Sequence, residues 1–185
     1  MNIIILNGTC GSGKSTVTQY LVENYSFYSF SCDNIIKQEK AKTGISYEYN
    51  SESIYSKYSD LLSTNLDKEY LIIDSIFIDN DLSRFLLYVP KSITNIFHIV
   101  LYPQYEIAYM HTQERTCFIH KTEEYWVKYF HKHISELINV DKNVHIIDNS
   151  YISIQETANI VLDHINYKKP NQEPRSKLRG MNISL

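Results

Sequence analysis

The chain has 185 residues, 43% hydrophobic and 21% charged, with a formal net charge of −3. That length fits one domain with a sizeable core, and the composition is that of an ordinary globular chain. It excludes an overall basic bias toward nucleic acid or anionic membrane, and no apolar run nears the roughly 18 residues that cross a bilayer.

Strand-like residues start at Asn2, so the opening reads as free of a secretory leader. The first apolar run, residues 3–6, leads directly into GTCGSGKS at residues 8–15. An amphipathic helix marked by Val17, Leu21 and Tyr25 leaves that phrase. A second run, residues 27–30, precedes Asp33 and a short helix that Gly44 terminates. Ile54, Tyr58, Leu61 and Leu62 mark the next helix, and a third run, residues 70–73, ends at Asp74. The fourth run, residues 96–101, is followed by a helix carrying His111 and Arg115 four apart on one face. Thr122 opens a long helix through Trp126, Phe130 and Leu137. The fifth run is residues 144–147, and Ser153 with Glu156 makes a capping box for the last helix.

Five short apolar runs alternating with helical patterns predict a parallel sheet wrapped by helices, with strands buried on both faces. Residues 168–185 differ, with two prolines, five basic residues against one acidic, and no periodicity. They read as a flexible basic tail after a folded domain over 1–167. The tail carries a net charge of +4 and leaves −7 on the rest, which opposes a long phosphodiester backbone. Cys10, Cys32 and Cys117 are odd in number and widely spaced, which fits free thiols in a reducing cytoplasm. His131 and His133 point apart on a helix, and no His/Cys cluster has metal-ligand spacing.

The phrase GTCGSGKS matches the phosphate-cradling pattern G-x-x-x-x-G-K-[ST] in full. Gly8, Gly11 and Gly13 let successive backbone N–H groups turn inward around phosphates. Thr9, Cys10, Ser12 and Thr16 complete the nucleotide-binding stretch. Lys14 is a point charge for the β- and γ-phosphates, and Ser15 supplies a hydroxyl for Mg²⁺. Asp74, after the apolar YLII, is the candidate second Mg²⁺ ligand; a turn or cap aspartate is the plainer alternative. Asp33 ends the second run, so it belongs on the same rim as the phosphate loop. There it either receives the proton of an attacking hydroxyl or caps the helix that follows. His111 and Arg115 either close over the nucleotide or sit on a solvated surface helix.

The combination of GTCGSGKS, an aspartate after the second strand, and a basic pair four apart after the fourth resembles the small P-loop kinases that phosphorylate hydroxyls. These include the chloramphenicol 3-O-phosphotransferase type, shikimate and gluconate kinases, and polynucleotide 5′-hydroxyl kinases. The likeness runs over about residues 1–165. It implies a P-loop NTPase α/β fold: three layers, a five-stranded parallel sheet of order 2-3-1-4-5, helices on both faces, and a small lid around residues 113–123. It implies ATP and Mg²⁺, with Lys14, Asp33 and Arg115 as catalytic residues. It also implies that residues 34–66 shape an acceptor pocket, with Tyr47, Tyr49 and Tyr55 as candidates, and that residues 148–151 lie near the adenine. His111 stands where many relatives carry a first lid arginine. The expected function is transfer of the ATP γ-phosphoryl group to a hydroxyl of a small molecule, by a cytoplasmic monomer or homodimer with no membrane partner. A polynucleotide 5′-kinase and an ATP-binding switch without acceptor are the alternatives.

Overall fold

A computed structural model describes residues 1–114 and 124–167. Its elements run β1 (Asn2–Gly8), α1 (Lys14–Tyr25), β2 (Tyr28–Ser31), α2 (Cys32–Thr43), α3 (Glu52–Thr64) and β3 (Tyr70–Asp74). Then come α4 (Asp81–Leu86), β4 (Asn95–Leu101), α5 (Tyr105–Gln113), α6 (Glu124–Val140), β5 (His145–Ile147) and α7 (Ile154–His164). All strand pairs are parallel, in the order β2-β3-β1-β4-β5. The order and the alternation of strand and helix are those expected from the sequence.

The period of two along β1 builds two cores from one strand. Ile3 and Ile5 face one side, with Ile54, Tyr58 and Leu62 of α3 and Phe85 of α4. Ile4 and Leu6 face the other, with Val17 and Leu21 of α1 and Val161 and Leu162 of α7. Residues 3–6 are fully buried, which is why this strand reads as an unbroken Ile/Leu run. The expectation that every strand is covered on both faces fails at the two edges of the sheet. In β2 Tyr28 and Ser29 are exposed, with Lys68 Nζ 4.5 Å over the Tyr28 ring, and in β5 Ile146 is exposed.

The register aligns the carboxyl ends of the strands. Leu6 is opposite Asp74, Asp74 is opposite Ser31, Gly8 is opposite Leu101, and Leu101 is opposite Ile147. The residues just past these positions therefore share one rim, where an open parallel sheet holds its ligands. Gly44, at φ 74, ends α2 with its N–H on the Lys40 carbonyl. The Ser153–Glu156 capping box opens α7 with both of its hydrogen bonds present. The expected start of the long helix at Thr122, the lid segment from Arg115 onward, Cys117 and the basic tail lie outside the described residues.

Candidate active site

The loop between β1 and α1 is shaped by its glycines. Gly11 has φ 78, and a Cβ there would meet the Ala108 carbonyl oxygen at 2.0 Å. Gly8 has φ 144, with the Leu101 carbonyl oxygen 2.4 Å from where its Cβ would stand. α1 begins after Gly13 with no side-chain cap and no acidic residue in its first turn. Its first N–H groups and the positive end of its dipole thus face the loop, an arrangement suited to an anion.

Lys14 is buried, and its ammonium is held by the loop itself. Nζ donates to the Gly8 carbonyl at 2.7 Å and the Thr9 carbonyl at 2.9 Å, with Ser12 Oγ at 3.5 Å. Thr9 turns its side chain away, toward the Val127 carbonyl of α6, so its part in the loop is its backbone. Ser12 is buried, Cys10 half-buried, and Ser15 and Thr16 exposed at the start of α1. Ser15 Oγ donates to Asp74 Oδ2 at 2.7 Å. These two hard oxygen donors, brought together from α1 and the end of β3, fit Mg²⁺. That ion takes one or two protein ligands and fills its shell with water and phosphate oxygens. Among the described residues no group of three or more His, Cys, Asp or Glu side chains could hold a metal.

Three side chains outside the loop fix it. Asn7 is fully buried; its Oδ1 accepts from the N–H of Gly8 at 2.8 Å and of Phe77 at 3.0 Å. Its Nδ2 donates to the Phe77 carbonyl at 2.9 Å and lies 3.3 Å from His98 Nε2. Asn149 Nδ2 donates to the Ser12 carbonyl at 2.9 Å. His111 Nδ1 stands 3.1 Å from the Gly11 carbonyl, and since a carbonyl only accepts, that nitrogen carries the hydrogen. His111 is therefore turned to the loop and not outward as on a solvated surface helix. Of the 148–151 segment, Ser150 and Tyr151 bond Gln104 beside the loop. The sequence motif gave no sign of Asn7, and the likeness pointed to the 148–151 segment without giving Asn149 this role, because a side chain that supports backbone from outside follows no spacing rule.

On the acceptor side, Ser31 is the N-cap of α2, its Oγ accepting from the Asn34 N–H. Asp33 sits in the first turn and is not the cap. Its Oδ1 accepts from the Tyr49 hydroxyl at 2.7 Å. Cys32 is buried, and its thiol is pushed up to about 11 by burial and by the charges of Asp33, Asp74 and Asp81. That thiol is inert at neutral pH. Of the tyrosines expected around an acceptor, Tyr55 is fully buried against Phe85 and belongs to the core. Tyr47 packs against the same core beside Lys57 and Glu52, and Tyr49 alone of the three reaches Asp33. Arg115 lies outside the described residues.

Comparison with known proteins bears on this arrangement. A family model described as an AAA domain matches residues 4–116. No curated protein sequence matches the chain. Among solved structures, the tunicamycin resistance protein of Deinococcus radiodurans superposes with TM-score 0.68 at 15% identity, covering 90% of this chain and 96% of that one. A gluconokinase from Sinorhizobium meliloti 1021 gives 0.61 at 14%, covering 89% and 91%. Shikimate kinase from Acinetobacter baumannii, solved with shikimate, gives 0.58 at 19%, covering 90% and 93%. At these identities the likeness is one of fold, and it spans nearly the whole length of each partner.

Proposed function

The chain belongs to the AAA domain family, and from that premise we propose that it is a kinase that moves the γ-phosphoryl group of ATP to a hydroxyl of a small molecule. The fold neighbours support the class, since gluconokinase and shikimate kinase are named for the hydroxylated compounds they act on. The observation that carries the reading is the placement of Asp33. It lies just past the end of β2 on the phosphate-loop rim, relieved of capping by Ser31. Its carboxylate is held by the Tyr49 hydroxyl at 2.7 Å.

In this reading the backbone N–H groups of residues 8–15 and the Lys14 ammonium bind the phosphates, and Asn7, His111 and Asn149 keep that cradle in shape. Ser15 and Asp74 would hold Mg²⁺, which when bound neutralises charge on the β- and γ-phosphates. Asp33 holds the acceptor hydroxyl in line and takes its proton as the oxygen–phosphorus bond forms and the bond to ADP breaks. The net charge of −7 outside the tail favours a small acceptor over a polynucleotide.

The test is Asp33→Asn, assayed by ADP release with gluconate, shikimate, 2′-deoxyadenosine and a 5′-hydroxyl oligonucleotide as acceptors. Transfer to the best acceptor falls by about 10²-fold or more while ATP affinity is kept. Transfer unchanged in the variant would remove Asp33 from the mechanism. Nucleotide binding with no acceptor phosphorylated would point instead to a switch.

A further inference from the structure

We propose that Tyr49 is a positioning residue for the acceptor step: its hydroxyl fixes one oxygen of the Asp33 carboxylate and leaves the other facing the incoming hydroxyl. The inference rests on the kinase reading of Asp33 and adds a residue to it.

An aspartate on the first turn of an exposed helix has two free torsions and no reason to hold one orientation. Here a 2.7 Å hydrogen bond from Tyr49 Oη to Oδ1 selects one. Oδ2 accepts no bond among the described residues. The tyrosine is itself held in place, although it lies in the connection between α2 and α3. Its neighbour Asn50 has φ 52 and ties the connection down through its amide. That amide donates to the Ile76 carbonyl at 2.7 Å and to Asp81 Oδ2 at 2.8 Å. Ser51 then caps α3, its Oγ accepting from Ile54 N–H. Tyr49 thus reaches Asp33 from a connection that its own neighbours, Asn50 and Ser51, hold in place.

Tyr49 is 64% exposed, with its hydroxyl bonded to Asp33. Burial first, and then the bond to Asp33, hold the phenol well above its ordinary range. It stays protonated at neutral pH, so it is a donor to Asp33 and not a competing base. In the transfer step the acceptor proton goes to Oδ2 and Tyr49 keeps its own.

Two measurements test this. In the first, 3-fluorotyrosine replaces Tyr49 and its ionisation is followed by fluorine NMR. The midpoint drops by about one pH unit or more when Asp33→Asn is added, because the charged acceptor of its bond is gone. An unchanged midpoint means there is no such bond in solution and overturns the inference without any activity measurement. In the second, Tyr49→Phe and Tyr49→Leu are compared in ATP turnover, with water and with the best acceptor of the panel. Tyr49→Phe lowers kcat about tenfold and leaves the KM for ATP within twofold, and Tyr49→Leu does no worse. If Tyr49→Phe matches wild type while Tyr49→Leu is impaired, the ring matters and the hydroxyl does not, and the inference falls while the kinase reading stands. If Asp33→Asn itself leaves transfer intact, both fall.

Discussion

Asn7 uses every hydrogen-bonding group of its amide in the core beneath the phosphate loop. It holds both backbone groups of Phe77 and the N–H of Gly8, and it touches His98. Replacing it by alanine strands buried donors and an acceptor, each worth about 1–3 kcal/mol. Asn7→Ala therefore loses about 2–4 kcal/mol in urea unfolding, and nucleotide affinity falls with it because Gly8 is released. A loss under about 1 kcal/mol would show that water replaces the amide. The sequence made Lys14 and the glycines legible because phosphate chemistry prescribes their spacing. It left Asn7, the role of Asn149 within the 148–151 segment and the orientation of His111 illegible, since each acts on a backbone group brought near only by the fold.

Among the elements, the helices whose ends are set by their own residues were the readable ones. The Ser153–Glu156 box is complete within four residues, so α7 starts where the sequence says. The Glu156 carboxyl is held below its usual range by hydrogen bonds from Ser153, backbone first and then side chain. Its folded value lies under its unfolded one, so its contribution is present above the unfolded pKa and is lost as pH falls through the folded one. Ser153→Ala weakens α7 by about 1 kcal/mol, read as a lower denaturant midpoint at pH 7. A midpoint equal to wild type would mean that α7 is held by Val161 and Leu162 packing alone. The sequence left Asp33 open as the cap of α2, and the extended backbone at Ser31 gives that place to Ser31 instead. The exposure of β2 was equally hidden: strand composition does not say which strand closes the sheet.

For the whole molecule, a buried histidine and a half-buried one contribute to the response to acid. His98 is 8% exposed and held below its ordinary 6.5 by burial, with Asp141 opposing in part. His145 is shifted the same way, by burial and then by His164, whose ring stacks on it at 3.9 Å. With folded values under unfolded ones, the unfolded chain binds the extra protons. Stability is therefore full above about 6.5 and declines as pH falls below it. The thermal midpoint drops between pH 7.5 and 5.5, and His145→Phe makes the decline shallower; a slope that is the same in both proteins would clear the pair of that role. The strand order was readable because a phosphate loop after the first strand implies a known winding, whereas pairings such as His145 on His164 come from residues distant in sequence. One last consequence follows from the Lys14 ammonium resting on the Gly8 and Thr9 carbonyls. The ammonium serves two backbone acceptors at the turn, so a neutral side chain of similar length leaves both carbonyls without that donor. A Lys14→Met variant therefore disturbs the shape of the loop as well as its charge, and its unfolding midpoint read beside its nucleotide binding separates the two losses.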